Sequence, residues 1–454
     1  MSAYFLENFG CRATQADGAA IEQQLLQRGL QRAGSAHNAQ VAVLNTCTVT
    51  AAADADARAA IRRIHRENPE CKILVTGCYA QRAPQEISAL PGVEWVVGNS
   101  HKSEVAAIAA SGSAAQPANF VSLGKLSGHE HLPEANFQYV GDIFAHTELL
   151  AAPVFETKTE GGARTRPNLK VQDGCDNRCS FCVIPFVRGQ SRSLPLDAVL
   201  RECDALVAAG YKEIVISGIN LGRWGRDFAT PNRFEHLVRA ILERTAIERL
   251  RISSVEPMDW SPELIALVAE SDRVCKHAHV PLQSGSDRVL RMMHRKYRPW
   301  HYADRIRSIR AAMPEAAIGA DVMVGFPGET GELFEENRRF IAELPFTYLH
   351  VFTYSSRPGT AAAKMAGHVA PQVARERNRI LRELIAEKNE AFRRGFVGRT
   401  LEAITLHPNA DGTTEALSNN FLKLEIVGAH AANQILRVQI TGLTGSGLAG
   451  EILQ

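Results

Sequence analysis

The string Cys175-Asp176-Asn177-Arg178-Cys179-Ser180-Phe181-Cys182 spaces three cysteines as C-x3-C-x2-C. Thiolate is the soft ligand that iron–sulfur clusters use. Three thiolates on one short loop can reach three irons of a [4Fe-4S] cube, which leaves the fourth iron without a protein ligand. An open coordination position is what a metal needs to bind a substrate or cofactor, as in catalytic zinc sites. Here the guest would be the amino and carboxylate groups of S-adenosylmethionine. Phe181, just before the third cysteine, is placed to pack near the cluster or the adenine. Buried cysteines and a zinc site are the competing readings. Zinc knuckles usually pair C-x2-C units with a fourth Cys or His, and no such partner follows here.

A second set, Cys11, Cys47 and Cys78, is scattered in sequence but regular in placement. Each follows a predicted strand: Tyr4–Phe9, Val41–Asn45 and Lys72–Thr76. In a parallel sheet all three lie beyond the same carboxyl edge, where open α/β sheets bind ligands. Converging there, they could hold a second cluster. Gly10 and Gly77 directly precede two of them and would let the backbone approach closely. The competing reading is packing, because cysteine is common in buried positions. Cys71, Cys203 and Cys275 show no such pattern and are read as core or incidental.

The elements that must position these residues follow from hydrophobic periodicity. The three strands, with Glu94–Val97, alternate with helical stretches at Gln15–Arg28, Ala51–Arg66, Gln81–Leu90 and Lys102–Ala110. That predicts an α/β, flavodoxin-like domain covered on both faces, spanning 1–125. Ser111–Arg166 has no steady period, and 126–166 is read as a linker with little structure. Alternation then resumes, with strands at Asn168–Gln172, Glu213–Ser217, Arg249–Ser253, His277–Pro281, Ala317–Val324 and Tyr348–Thr353. Helical patterns separate them, including Pro195–Ala209, Arg233–Thr245, Ser261–Glu270 and Tyr302–Met313, and Gln372–Arg394 is helical. Residues 167–395 are therefore expected to form a partial (β/α)6 barrel, with the first cysteine motif just after its first strand, where barrel active sites lie. The tail, 396–454, has short β-rich runs at Thr400–Thr405, Phe421–Ile426 and Ile435–Ile440. It reads as a small antiparallel barrel of a kind that commonly binds oligonucleotides.

Two or three domains suit 454 residues. The 45% apolar and 22% charged fractions are those of a soluble globular chain. No long uncharged apolar run suggests a membrane span, and no leader pattern opens the chain, so it is expected in the cytoplasm. Nine cysteines, an odd number, fit metal binding, catalysis or burial in a reducing compartment better than disulfides. A net charge of +2 means any basic surface is local. One candidate is Arg291–Arg310, seven Arg or Lys against Asp304, with Tyr297, Trp300 and Tyr302 interleaved. Phosphate binding with aromatic stacking suits RNA. A solvated helix face is the alternative, with Arg295 and Lys296 near the active site instead.

Taken together, the chain resembles the radical S-adenosylmethionine methylthiotransferases over nearly its whole length. The strings are FGCRATQADG, LNTCTVTAAADADAR and VTGCYAQ, then QDGCDNRCSFCVIPFVRGQSRS, SGIN, ISSVEP, HVPLQSGSDRVLRMMHRKY and DVMVGFPGET. The tail, with LSNNFLKLEI, is similar to the family's small TRAM barrel. NTCTVT, VRGQSRS and SSVEP look most like the branch acting on N6-threonylcarbamoyladenosine in tRNA.

The resemblance implies transfer of a methylthio group to carbon 2 of the adenine next to the anticodon. One S-adenosylmethionine supplies the methyl group, and a second is cleaved reductively to a 5′-deoxyadenosyl radical. It implies two [4Fe-4S] clusters, on Cys175, Cys179 and Cys182 and on Cys11, Cys47 and Cys78. The two carboxyl edges would face each other with the target base between them. Candidate S-adenosylmethionine contacts follow later strands: Gly218 and Asn220, Glu256, Gln283 and Ser284, and Asp321 ahead of the turn-like GFPGE. Each could instead cap a helix or satisfy a loop. Implied partners are the tRNA anticodon stem-loop, a flavodoxin- or ferredoxin-type electron donor and a sulfur source, with no membrane. The alternatives are the branches for isopentenyladenosine in tRNA or a ribosomal-protein aspartate, and a non-catalytic iron–sulfur RNA-binding or redox-sensing protein.

Overall fold

Val-Ala-Val-Leu-Asn-Thr, residues Val41–Thr46, is buried at every position, the mark of a strand covered on both faces. The computed structural model describes residues 2–111, 137–145 and 165–453, and it places this strand inside a six-stranded parallel sheet. The order is Gln31–Arg32, Ala3–Asn8, Val41–Thr46, Lys72–Gly77, Val93–Gly98, Phe137–Tyr139. This is the flavodoxin-like order, extended by one strand. Alternate side chains feed opposite cores. Leu44 and Val75 pack with Ile61 and Ile64, while Val43 and Leu74 pack with Ile21, Leu25 and Trp95.

Two expectations change here. Phe137–Tyr139 falls inside the expected 126–166 linker, yet it is the sixth strand, paired with Trp95–Val97. Three residues are too few for a period to show. Of the linker, only 137–145 and 165–166 are among the described residues. The helix expected over Gln81–Leu90 is two, Cys78–Arg82 and Pro84–Ser88. Pro84 starts the second, and the residue before a proline is disfavoured in helical geometry.

The chain divides into two units. The first holds the sheet together with Gly174–Asp176 and Val183–Gln190. The second holds Asn177–Cys182 and everything from Ser191 onward. The expected boundary at 167 is therefore crossed by the cysteine loop itself.

In the second unit the six predicted parallel strands all form: Asn168–Asp173, Glu213–Gly218, Arg249–Ile252, His277–His279, Ala317–Val324 and Tyr348–Thr353. A parallel bridge from Leu250 to Val274 joins the two halves of this partial barrel. Leu250 and Ile252 are buried apolar residues, while Arg249 and Arg251, alternating with them, are buried polar ones. Glu213, fully buried, accepts from Arg251 at 2.7 and 3.3 Å and has Arg249 and Arg166 each 3.7 Å away.

The tail is a closed five-stranded barrel. Thr413–Ser418 and Leu448–Ile452 join the three expected runs, and Lys423–Val427 pairs with Leu448–Ile452 in parallel, the one departure from antiparallel order. Phe421 is not in a strand. Its φ is 65°, and its ring stacks on His277 at 4.3 Å. Arg251 also donates to the Ser418 and Asn419 carbonyls, and the Lys276 amide to Asn419 Oδ1. These partners sit at or near the amino ends of barrel strands. No helix among the described residues is long and apolar enough to cross a membrane.

Burial pushes the Glu213 carboxyl up, but the Arg251 guanidinium, then Arg166 and Arg249, hold it below its ordinary value. A depressed pKa contributes stability that is complete above the unfolded value, about 4.3, and is lost as pH falls through the folded one. Glu213→Gln leaves Arg251 and Arg249 buried without their carboxylate, a change expected to cost about 3–5 kcal/mol at pH 7. Urea unfolding of wild type and variant should show this gap, and the gap should close below about pH 4.

Candidate functional site

Register brings the scattered cysteines together. Thr46 is paired with Gly77, so Cys47 and Cys78 leave adjacent strands side by side. Asn8 is paired with Asn45, and the chain beyond Asn8 folds back over Cys47. Gly10 has φ 95°, and a Cβ there would lie 2.4 Å from Cys47 Cβ and 2.8 Å from its Sγ. Gly77 has φ 100°, and a Cβ there would lie 2.3 Å from the Thr46 carbonyl. Both positions need the left-handed freedom and the missing side chain of glycine. The loops are braced: Arg82 donates to Thr48 Oγ1 at 2.7 Å and to Asp54 at 2.9 Å, and Thr48 donates to Asp54 at 2.6 Å.

The donor set fits a thiolate-held cluster. Burial, then the neighbouring Cys78 and Cys11, push the Cys47 thiol up to about 12, and Arg188 draws it back. A metal cation beside Cys47 would supply the positive charge that favours its thiolate. Asn99 Nδ2 donates to Cys78 Sγ at 3.5 Å and to the Val187 carbonyl at 2.7 Å. Arg188 and Lys102 both pair with the fully buried Asp17, at 2.9 and 2.7 Å. Arg188 also reaches Thr14 Oγ1, which lies 3.5 Å from Cys11 Sγ. Sequence reasoning missed Asn99 and Lys102, and took Asp17 and Arg188 only as parts of strings. Nothing local in sequence marks their convergence.

The other three cysteines, all partly exposed, keep to the 175–182 loop. Gly174 has φ 70°, and the Cys175 amide donates to the Gly189 carbonyl at 3.0 Å. In the second unit the Cys182 amide closes a turn on the Cys179 carbonyl at 3.1 Å. Ser180 is pinned there, its hydroxyl on the Met292 carbonyl and its amide on the Met293 carbonyl. Arg295, buried, donates to Cys179 Sγ at 3.3 Å and pairs with Glu256. Burial works against its charge, and Tyr297, Glu256 and Cys179 outweigh that. This set, three thiolates on a short loop with a cation beside one of them, also suits an iron–sulfur cube.

The candidate cofactor contacts fall into different roles. Phe181 packs against Phe326, ring centroids 6.5 Å apart. Gly218 lies against Gln172, whose Oε1 accepts the Asn220 amide at 2.7 Å. Glu256 faces Arg295. Gln283 holds a left-handed φ of 64° between the Asp321 carbonyl and the Met323 amide. Strain of that kind in a non-glycine residue gathers at functional sites. Ser284 is fully buried and accepts from the Ser286 amide, a loop role. Asp321 lies 3.5 Å from His279 Nε2. GFPGE is a turn clasped by its own Glu329, which accepts from the Gly325 amide at 3.0 Å and from Arg377.

The basic stretch divides too. Tyr297 and Tyr302 are core residues whose hydroxyls bond the Leu282 and Val280 carbonyls, so the expected stacking surface loses them. Trp300 is 54% exposed and stays available. The tail from 397 onward holds three Lys or Arg against five Asp or Glu.

Residues 169–341 match the family model of the radical SAM superfamily, and residues 3–98 match that of uncharacterized protein family UPF0004. The chain is 36% identical over 447 residues to a protein of Bacillus subtilis (strain 168), threonylcarbamoyladenosine tRNA methylthiotransferase MtaB, covering 97% of this chain and 94% of that one. The Aquifex aeolicus protein of that name is 34% identical, with 96% and 99% covered. This chain belongs to the tRNA methylthiotransferases. A tRNA-2-methylthio-N(6)-dimethylallyladenosine synthase of Saccharopolyspora erythraea is 33% identical, with 91% and 80% covered. Among solved structures, the radical S-adenosylmethionine methyltransferase TsrM of Kitasatospora setae superposes with a TM-score of 0.56 at 17% identity, covering 80% of this chain and 74% of that one. That likeness concerns the fold alone.

In this methylthiotransferase Gly10→Ala drives a methyl group onto Cys47. A cluster held on Cys11, Cys47 and Cys78 would be lost, so the reconstituted variant should keep about half of the wild-type iron. Iron analysis with electron paramagnetic resonance checks this.

Proposed function

We propose that the chain transfers a methylthio group to carbon 2 of N6-threonylcarbamoyladenosine, next to the anticodon of tRNA. One observation carries the reading: two cysteine triplets, one gathered by register at a sheet's carboxyl edge, the other on the loop after the first barrel strand. A sensor or passive RNA binder has no use for both. The near end-to-end match with relatives named for threonylcarbamoyladenosine supports this branch.

When bound, the two iron–sulfur clusters and S-adenosylmethionine supply the radical and sulfur chemistry. The chain's own residues hold and shield. Cys11, Cys47 and Cys78 hold the auxiliary cluster, with Arg188 as the nearby positive charge. Cys175, Cys179 and Cys182 hold the other, with Arg295 beside Cys179. In this reading Glu256, Asn220 and Gln283 line the S-adenosylmethionine site, each on a loop after a barrel strand. Gly218, Ser284 and Asp321 shape the same loops, and Phe181 forms part of the apolar wall.

The target base must leave its stack to reach such a site, which favours an anticodon-loop nucleotide. Arg291, Lys296, Arg307 and exposed Trp300 offer phosphate contacts and a stacking face for the tRNA. The tail barrel, net acidic, would bind RNA through shape and hydrogen bonds more than through charge. A cytoplasmic setting, a small electron-transfer donor and an external sulfur source complete the proposal. So do the domain limits 1–125, 167–395 and 396–454, adjusted for the shared cysteine loop.

Two measurements test this. Anaerobically reconstituted protein should hold about eight irons, and joint replacement of Cys175, Cys179 and Cys182 by Ala about half of that. A single zinc per chain in place of iron would refute both clusters. In a deletion strain, nucleoside mass spectrometry should find 2-methylthio-N6-threonylcarbamoyladenosine missing and its unthiolated precursor in its place. Loss of the isopentenyl species instead would move the chain to the sibling branch.

A further inference from the structure

His279, Asp321 and His350 come from three neighbouring barrel strands, His277–His279, Ala317–Val324 and Tyr348–Thr353. Strand pairing sets His279 opposite Gly319 and Asp321 opposite His350. Period-two alternation then puts Gly319 and Asp321 on the same face. Each of the three residues offers one ligand atom, and the three atoms lie within 4.8 Å of one another. None of them belongs to either cysteine triplet.

His279 is the telling residue. It is 7% exposed, and its Nδ1 is engaged by Ser254 Oγ at 2.6 Å. Its Nε2 is buried and makes no hydrogen bond, although the Asp321 carboxylate oxygen stands 3.5 Å off. If Nδ1–H donates to Ser254, Nε2 turns a lone pair toward the Asp321 carboxylate, an arrangement that a positive centre between them would relieve. A metal-ligating histidine characteristically has its second nitrogen oriented by a hydrogen bond of this kind. The His350 ring lies 5.5 Å from the His279 ring, and the residue is exposed.

We propose that His279 Nε2, Asp321 and His350 form a binding site for a divalent first-row metal ion, with Ser254 orienting His279. Two imidazoles and one carboxylate suit zinc and its neighbours. Bonds of about 2.0–2.1 Å in a tetrahedral site separate ligand atoms by about 3.3 Å. The His279–Asp321 pair, at 3.5 Å, is close to that spacing, and His350 has to close by at most about 1.5 Å. Three protein ligands leave a fourth position open to water or to a carboxylate. The site uses no cysteine of either triplet, but it shares Asp321 with the loops that shape the proposed S-adenosylmethionine site.

The test uses holoenzyme with its clusters in place, given zinc and then freed of excess by gel filtration. About one zinc per chain should remain, with X-ray absorption showing only nitrogen and oxygen neighbours at about 2.0–2.1 Å. His350→Ala, at an exposed position, should lose this zinc while keeping its iron, and Ser254→Ala should weaken zinc binding about tenfold or more. Sulfur neighbours at about 2.3 Å, zinc retention by His350→Ala equal to wild type, or no retained zinc would each overturn the site.

Discussion

Parallel strands in register do something that helices do not: the residues just past each strand's end all emerge at one edge, spaced by the distance between strands, about 4.8 Å. Adjacent strands therefore deliver residues that are remote in sequence to neighbouring points. Thr46 opposite Gly77 makes Cys47 and Cys78 neighbours, although thirty other residues separate them in the chain. Everything else at that edge answers to the crowding this creates. Gly10 removes a side chain where backbone meets the Cys47 sulfur and Gly77 removes one where it meets the Thr46 backbone, Arg82 ties the two loops together, and Asp17 gathers the cations that stand nearby.

The second unit meets the same geometry with opposite ends. Its amino end is closed by the tail. The turn through Ser418 and Asn419 takes hydrogen bonds from Arg251, and Phe421 lies on His277 and near Tyr348. Glu213 neutralises the guanidiniums that this closure buries. The carboxyl end is left to the loops, and there the polar groups serve one another and the cysteine loop: Gln172 with Asn220, Arg295 with Glu256 and Cys179. A tail with more acids than bases fits this division, since the contacts it makes at that end are with protein and not with an anion.

Legibility followed the length scale of the signal. Both sheets were readable because strands such as Val41–Thr46 and Ala317–Val324 are apolar runs between helical periods, and the cysteines stood at their ends. Phe137–Tyr139 was not, since three residues cannot show alternation. Leu448–Ile452, with a glycine inside, resembles a loop. Tyr297 and Tyr302 misled because aromatic residues among arginines look the same in sequence whether they stack on RNA or fill a core. Their hydroxyls, bonded to Leu282 and Val280 carbonyls, decide the matter only in three dimensions. The cysteine motif stood out in sequence as a local unit, but its division between the two units was invisible, because it depends on which neighbours 174–176 and 177–182 find.

Cys182 is the last cysteine of the loop, and the five-residue helix Ile184–Arg188 follows almost at once. Its end is held from two sides, the Val187 carbonyl by Asn99 and the Arg188 guanidinium by Asp17. The buried charges around Asp17 are unfavourable to desolvate, and pairing only repays that loss when the geometry is tight. A tight geometry is also what keeps a guanidinium fixed near Cys11 and Cys47. The ion triad therefore stabilises the first unit and holds the end of the Ile184–Arg188 helix within it.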